Sequence, residues 1–122
     1  MDMKDLSRQL TLQLMFRTKE EKNMNYYRIK SILHGGRKGE RNTPRIDGRY
    51  PSRINRIVKF DEKNIMIGYP FYFDYVKDEN GNDYSGYYFR TSFVKDWDYV
   101  FDNVIRIETN NSIYEFEKIE EV

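Results

Sequence analysis

The chain has 122 residues, of which 39% are hydrophobic and 34% charged, and its formal net charge is +1. This length is enough for one compact domain over residues 1–122, and it excludes two domains with separate cores. The absence of cysteine excludes a disulfide framework and a thiol nucleophile.

No stretch of the sequence reaches the roughly 18 apolar residues of a membrane span, and the N-terminus lacks the pattern of a signal peptide. We therefore expect a cytoplasmic protein that does not bind membranes. The chain has no alanine, whereas Ile, Lys, Asn and Tyr make up 42 of the 122 residues. Those four have A/T-rich codons, which points to an AT-rich bacterium or to a phage or mobile element, whose product would act in the host-cell cytoplasm.

The first predicted element is a helix over about residues 3–16. Its apolar residues recur at the three-to-four spacing of one helix face: Met3, Leu6, Leu10 and Leu14. Residues 10–16 also alternate between apolar and polar side chains, which is typical of a strand. Helix and strand therefore both stay open for this segment.

A second helix is predicted over about residues 19–34. Glu20 and Glu21 would lie in its first turn, where the helix dipole favours negative charge. Apolar residues again follow helical spacing, and His34 followed by two glycines is a typical helix end.

Residues 35–53 contain four glycines and two prolines but only one aliphatic residue, a composition that predicts a loop. A loop of this length inside a compact domain is usually either functional or disordered.

Residues 54–122 predict a series of antiparallel strands. Turn-forming residues separate the expected strands, and Asn80-Gly81 is suited to the positive φ of a tight hairpin turn. The expected strands cover residues 54–60, 64–69, 71–77, 84–94, 104–109 and 112–118.

The register of the last hairpin follows from a two-residue turn at Asn110-Asn111. With that turn, three pairs face each other across the strands: Ile107 with Tyr114, Ile105 with Phe116, and Arg106 with Glu115. The apolar pairs should line the core. The charged residues of the other side should face water: Arg106, Glu108, Glu115 and Glu117.

Together these elements predict an α+β fold. One or two helices within residues 2–34 would pack on a small antiparallel sheet or SH3-like barrel of about five strands. The loop at 35–53 would separate the helical region from the β region at 54–122.

Charge is distributed unevenly along the chain. Residues 1–60 contain 15 Lys/Arg and 6 Asp/Glu residues, whereas residues 61–122 contain 6 and 14. The near-neutral total therefore conceals a basic half of net charge +9 and an acidic half of net charge −8.

The candidate binding site is a group of basic residues in and beside the loop: Arg37, Lys38, Arg41, Arg45, Arg49, Arg53 and Arg56. Arginine forms paired hydrogen bonds with phosphate and stacks on bases, and an AT-rich gene would more readily encode lysine. Tyr50 is the candidate for stacking on a base. The alternative is that these arginines pair with the acidic half across the fold.

The aromatic hairpin between residues 69 and 93 is a second candidate surface. If its strands alternate, half of its rings lie on the face away from the core. Exposed rings could stack on bases or be buried in an oligomer interface. Together with the opposed charges of the two halves, these rings lead us to expect a homo-oligomer.

Catalysis has little support in the sequence, and we expect neither a cofactor nor a metal ion. The single histidine, His34, is typical of a structural residue at a helix end. Asp96, Asp98 and Asp102 would be the ligands if the chain were a metal-dependent nuclease, which is a minor alternative.

The leading interpretation is a non-catalytic binding protein whose Arg-rich loop binds a phosphate-containing anion, either a nucleotide or a nucleic acid. The second interpretation is an inhibitor of the phage or mobile-element type. Such a protein would dock on a host protein through its charged faces.

Overall fold

The computed structural model describes residues 24–36 and 39–120. In it, six antiparallel strands form a closed barrel in which each strand pairs with the next and the last pairs with the first. The strands are β1 (Asn25–His34), β2 (Ile57–Phe60), β3 (Pro70–Lys77), β4 (Tyr88–Phe101), β5 (Val104–Thr109) and β6 (Ser112–Ile119). Two short 3-10 helices, Pro51–Arg53 and Glu62–Asn64, lie between strands. None of the helices in this part of the chain is long and apolar enough to cross a membrane.

Residues 25–34 form β1, so the prediction of a helix over residues 19–34 is wrong. Tyr27 and Ile29 are fully buried and alternate with exposed Arg28 and Lys30, which is the period of a strand. The strand is hydrogen-bonded to β2 on one side and to β6 on the other. The apolar spacing would also fit a helix, but the segment forms a strand because β2 and β6 supply hydrogen-bond partners along both of its edges.

The described part of the chain is therefore nearly all β, and the predicted α+β fold with a helical segment packed on the sheet is wrong. The predicted helix over residues 3–16 lies outside the described residues. Closure between β1 and β6 runs from Tyr26 opposite Ile119 to His34 opposite Ser112. A closed barrel leaves no free strand edge along this seam.

The strands of residues 54–122 differ from the prediction in three places. Strand β2 begins at Ile57 rather than at residue 54. Residues 64–69 form no strand, because the chain makes a 3-10 turn and a loop in which only Ile65 is buried. Strand β4 begins at Tyr88 rather than at residue 84 and continues to Phe101. Its first part pairs with β3 and its second part with β5, with register shifts where it bends.

The last hairpin confirms the predicted register. Ile107 pairs with Tyr114, Ile105 with Phe116, and Arg106 with Glu115. The four apolar residues are at most 2% exposed. The charged residues of the other side are half-buried rather than fully exposed, because neighbouring side chains of the loop and of β1 contact them.

The core of the barrel is built largely from aromatic rings. Tyr27 stacks on Phe60 with ring centroids 3.9 Å apart, and Phe116 lies 5.2 Å from Phe60 and 5.4 Å from Phe73. Large rings fill the interior of a small barrel efficiently. Edge-to-face contacts between the rings stabilise the core further, beyond the burial of apolar area. This core is the rigid support for the loop that follows β1.

Candidate functional site

The loop between β1 and β2 lies along the barrel instead of projecting away from it. The Arg45 backbone N–H donates to the Ile32 carbonyl (2.9 Å), and the Asn55 N–H donates to the Ile29 carbonyl (2.8 Å). Tyr50 and Ile54 pack on the core between these two attachments. Side chains of the loop are therefore held against the barrel, where some of the predicted site residues meet aromatic rings.

Arg45 is held by several contacts. Its guanidinium donates to the Asp47 carboxylate (2.6 and 3.1 Å) and to the Ser112 hydroxyl (2.7 Å). It also lies over the Tyr50 ring, with Cζ 3.8 Å from the centroid. The hydrogen bond from Arg45 lowers the pKa of the Asp47 carboxyl below its usual value. Arg45 thus ties the loop to the start of β6.

Arg53 has no such carboxylate partner. Its Cζ lies 4.7 Å from the Tyr50 ring centroid and 4.6 Å from the Phe89 ring centroid, and the residue is half-buried. Among the described residues no Asp or Glu forms an ion pair with it. The two rings offer partial negative charge through their faces, but they do not neutralise a guanidinium.

Arg56 lies on the other side of the same group of rings. Its Nε donates to Glu79 (2.7 Å), and its Cζ is 5.2 Å from the Tyr75 ring and 4.9 Å from the Tyr84 ring. The hydrogen bond with Arg56 lowers the pKa of the Glu79 carboxyl. Arg56 therefore keeps an acidic partner at the surface while its cation covers two tyrosines.

The Tyr75 hydroxyl is buried, and its proton has no acceptor within residues 24–36 and 39–120. Tyr75 is only 5% exposed. Burial raises the pKa of this hydroxyl above its ordinary value, while the Arg56 guanidinium, as a nearby donor and charge, and the charge of Arg53 lower it. A buried donor without an acceptor is uncommon and calls for an explanation, such as an ordered water or a ligand that accepts from it.

We call this group the arginine–aromatic cluster: Arg45, Tyr50, Arg53, Arg56, Tyr75, Tyr84 and Phe89. A stacked pair continues it to the surface, since Tyr84 and Tyr87 have ring centroids 4.8 Å apart and Tyr87 is 62% exposed.

The structure thus brings together only part of the predicted site. Arg45, Tyr50, Arg53 and Arg56 meet in the cluster, whereas Arg41 points elsewhere and pairs with Glu108. Arg49 is exposed, and Arg37 and Lys38 lie outside the described residues. The Tyr50 ring contacts Arg45 and Arg53, so in this structure it positions arginines.

Sequence reasoning placed Tyr75 and Phe89 in an aromatic hairpin but did not connect them with the arginines. No local signal could have done so, because the contacts join residues that are far apart in the chain. The hydroxyl of Tyr75 becomes notable only once its surroundings are known.

Several arginines of the basic half pair with the acidic half. The three cross-half pairs among the described residues are Arg28 with Glu117, Arg41 with Glu108, and Arg56 with Glu79. The two halves of opposite charge are therefore folded against each other, which reduces the dipole that their separation would produce.

The acidic residues considered for a nuclease lie in and after β4. Asp96 and Asp98 accept hydrogen bonds from the backbone N–H groups of Trp97 (2.9 Å) and Tyr99 (2.7 Å). Within the described ranges, no group of three or more His, Asp or Glu side chains is placed to hold a metal ion. His34 ends β1 instead of a helix, with ring nitrogens 3.9 Å from Glu40 and 4.0 Å from Asp47.

The fold and the site define a structural class: a six-stranded antiparallel barrel with an arginine-bearing loop packed on its aromatic core. Comparison with protein-family models, curated proteins and solved structures finds no match to this chain. The functional argument therefore depends on the geometry of the site.

Proposed function

We propose that this protein is a non-catalytic binding protein and that its arginine–aromatic cluster binds a phosphate-containing anion, either a nucleotide or a nucleic acid. The observation that carries the proposal is Arg53, a half-buried cation that stacks on two rings and has no carboxylate partner among the described residues. Removing a cation from water without a counter-charge is unfavourable. A phosphate oxygen at Arg53 would supply that charge.

The Tyr75 hydroxyl supports the same ligand. A buried donor without an acceptor costs about 1–3 kcal/mol, and a ligand oxygen that accepts its hydrogen bond would recover that energy. Its raised pKa keeps the hydroxyl protonated at neutral pH, so it can donate. The Arg56 Cζ lies 5.2 Å from the Tyr75 ring centroid, and Arg53 covers the ring of Phe89 in the same cluster, so one anion could contact all three groups.

The exposed ring of Tyr87 favours a nucleotide over a simple anion. Tyr87 stacks on Tyr84, whose other neighbours are Tyr75 and Arg56. A base that stacked on the open side of Tyr87 would place its phosphate toward the arginines. Stacking of a base on an aromatic ring contributes about 1–3 kcal/mol and tolerates any base.

The second interpretation, an inhibitor of the phage or mobile-element type, would use charged faces to dock on a host protein. Because three described arginines already meet carboxylates of the other half, less unpaired charge is left for such a partner. Two of these arginines, Arg41 and Arg56, also belong to the predicted anion site, so the pairs count against both interpretations. Arg53, which stacks on two rings without a described carboxylate partner, is what favours anion binding. A cytoplasmic location belongs to the proposal, and the lack of cysteine is compatible with it.

The main test compares Arg53→Gln with Arg106→Gln, which removes the same charge from the outside of β5. ATP and a fluorescent single-stranded oligonucleotide serve as probes, in titrations at low and at physiological salt. Because charged hydrogen bonds contribute about 1.5–3 kcal/mol, Arg53→Gln should weaken binding about tenfold or more. Arg106→Gln should change it less than about twofold, and wild-type affinity for the oligonucleotide should fall as salt rises.

Tyr75→Phe tests the hydroxyl by itself, because it removes the buried O–H and leaves the ring in place. Binding should weaken, while thermal stability should stay the same or rise, since a buried donor without an acceptor is lost. Absence of binding by the wild-type protein, or equal binding by wild type, Arg53→Gln and Tyr75→Phe, contradicts the proposal. Absorbance at 260 and 280 nm of the freshly purified protein checks whether a nucleotide is already bound.

A further inference from the structure

The outer face of β3 and β4 carries large rings that no described residue covers. Tyr72 and Tyr88 are 51% and 66% exposed, with ring centroids 6.2 Å apart. The Arg90 guanidinium lies over Tyr72, with Cζ 5.9 Å from the ring centroid. Phe93 and Tyr69, which are 51% and 61% exposed, continue this apolar surface toward the start of β3.

The strand register arranges three of these side chains and Asp74 as a square. Tyr72 is opposite Arg90, and Asp74 is opposite Tyr88. The two tyrosines therefore occupy one diagonal of the square, and the cation and the anion occupy the other. We name these four residues the β3–β4 face: Tyr72, Asp74, Tyr88 and Arg90.

We propose that the β3–β4 face binds a second copy of this chain about a two-fold axis along the tyrosine diagonal. In that arrangement each Arg90 meets Asp74 of the other copy, and each tyrosine meets the same tyrosine of the other copy. A two-fold interface must be self-complementary, and a square with like residues on one diagonal and opposite charges on the other satisfies that requirement in charge.

The charge of this face agrees with a second copy as the occupant, and its exposed rings supply part of the area that an interface needs. One cation and one anion cancel on this face, whereas a surface that binds nucleic acid carries an excess of positive charge. The rings of Tyr69, Tyr72, Tyr88 and Phe93 are 51–66% exposed. Burying them removes on the order of 400 Å² from water, about half of what each partner buries in a standard interface.

The test uses charge reversals, with mass measured by light scattering after size exclusion at physiological salt. Wild type should have twice the 14.9 kDa mass of one chain. Arg90→Asp and Asp74→Arg place like charges opposite each other, so each variant alone should dimerise about tenfold or more weakly. Mixing the two variants should restore dimers, because both positions of one copy are then acidic and both positions of the other are basic. The double variant R90D/D74R should dimerise by itself.

Circular dichroism of each variant confirms that the barrel is intact. Arg53→Gln should remain dimeric, so failure of the dimer and failure of anion binding are distinguishable. A wild-type monomer at all concentrations overturns the proposal, as does a dimer that neither charge reversal weakens. Loss of oligonucleotide binding in Tyr88→Ala, with mass unchanged, would instead assign the face to base stacking.

Discussion

At the scale of single residues, Glu62 links two tyrosines of different strands. Its carboxylate accepts a hydrogen bond from the buried Tyr27 hydroxyl (2.7 Å) and another from the Tyr99 hydroxyl. Burial, followed by the bond to Glu62, raises the pKa of Tyr27 well above its usual range. The bond to Glu62 raises the pKa of Tyr99 to about 12. Both tyrosines are therefore held in the protonated form by the fold.

This arrangement predicts a loss of stability in alkali. A tyrosine stabilises the fold when its pKa is higher in the folded than in the unfolded state. This stabilisation is fully present at pH values below the unfolded pKa of about 10. The contribution then falls as pH rises above about 10, by up to about 1.4 kcal/mol per pH unit for the buried Tyr27 and by less for Tyr99, which is 45% exposed and screened by water. Denaturant unfolding of wild type at about pH 8 and about pH 11 measures the loss, which Tyr27→Phe should reduce.

The exposed Tyr69 provides the control for this prediction. Tyr69→Phe should keep the wild-type difference between the two pH values. If the free energy of unfolding falls equally between the two pH values in wild type and in Tyr27→Phe, then the bond to Glu62 does not make the stability of the fold depend on pH.

At the scale of elements, the last hairpin is both the most predictable part of the fold and a support of the core. Its turn is reinforced by the buried Thr109 hydroxyl, which donates to the Ser112 carbonyl (3.0 Å) and accepts from the Ser112 N–H (3.2 Å). Phe116 is fully buried among Tyr27, Phe60 and Phe73. The neighbouring Glu117 faces outward and contacts Arg28 at 3.4 Å.

Truncation of these two neighbours should have very different effects. Phe116→Ala leaves a cavity among large rings and should lower the free energy of unfolding by about 3–5 kcal/mol. Glu117→Ala removes one exposed ion pair and should lower it by about 0.5 kcal/mol or less. Thermal and urea denaturation compare the two variants, and similar losses in both would mean that the opposite side of the hairpin is buried.

At the scale of the whole molecule, three ion pairs among the described residues join the basic half to the acidic half across the fold. These pairs lie at the surface, and each should contribute about 0.2–1 kcal/mol at low salt. Each paired arginine therefore has a carboxylate beside it on the folded surface. These pairs reduce the charge left for attraction between copies, and the proposed dimer depends on its aromatic face.

Salt should accordingly reduce stability slightly. At about 1 M salt the screening length falls to about 3 Å, so the exposed pairs lose most of their attraction. We expect the free energy of unfolding in urea to fall by no more than about 2 kcal/mol between low salt and about 1 M NaCl. Glu108→Gln should lessen this fall, because it removes the partner of Arg41. A rise in stability with salt would show that repulsion between like charges dominates.

The sequence by itself was sufficient for features that depend on neighbouring residues. The Asn110-Asn111 turn fixes which residues face each other, so the register and the buried side of the last hairpin could be derived from spacing alone. The glycines and prolines of residues 35–53 indicated a segment without regular strands in the same way. The charge split was also visible, and pairing of the arginines with the acidic half was one of its two expected consequences, but spacing alone could not choose between pairing and anion binding.

Only the tertiary structure decided the features that depend on distant partners. Apolar residues near Ile29 and Ile32 fit both a helix and a strand, and hydrogen bonds to β2 and β6 select the strand. Likewise, the sequence does not show which arginines of the loop have a carboxylate partner. Folding gives Arg56 a carboxylate and places Arg53 on the rings of Tyr50 and Phe89 without one. The physical reason is the same in both cases: a ladder partner or a counter-charge is supplied by residues far along the chain, which local spacing does not specify.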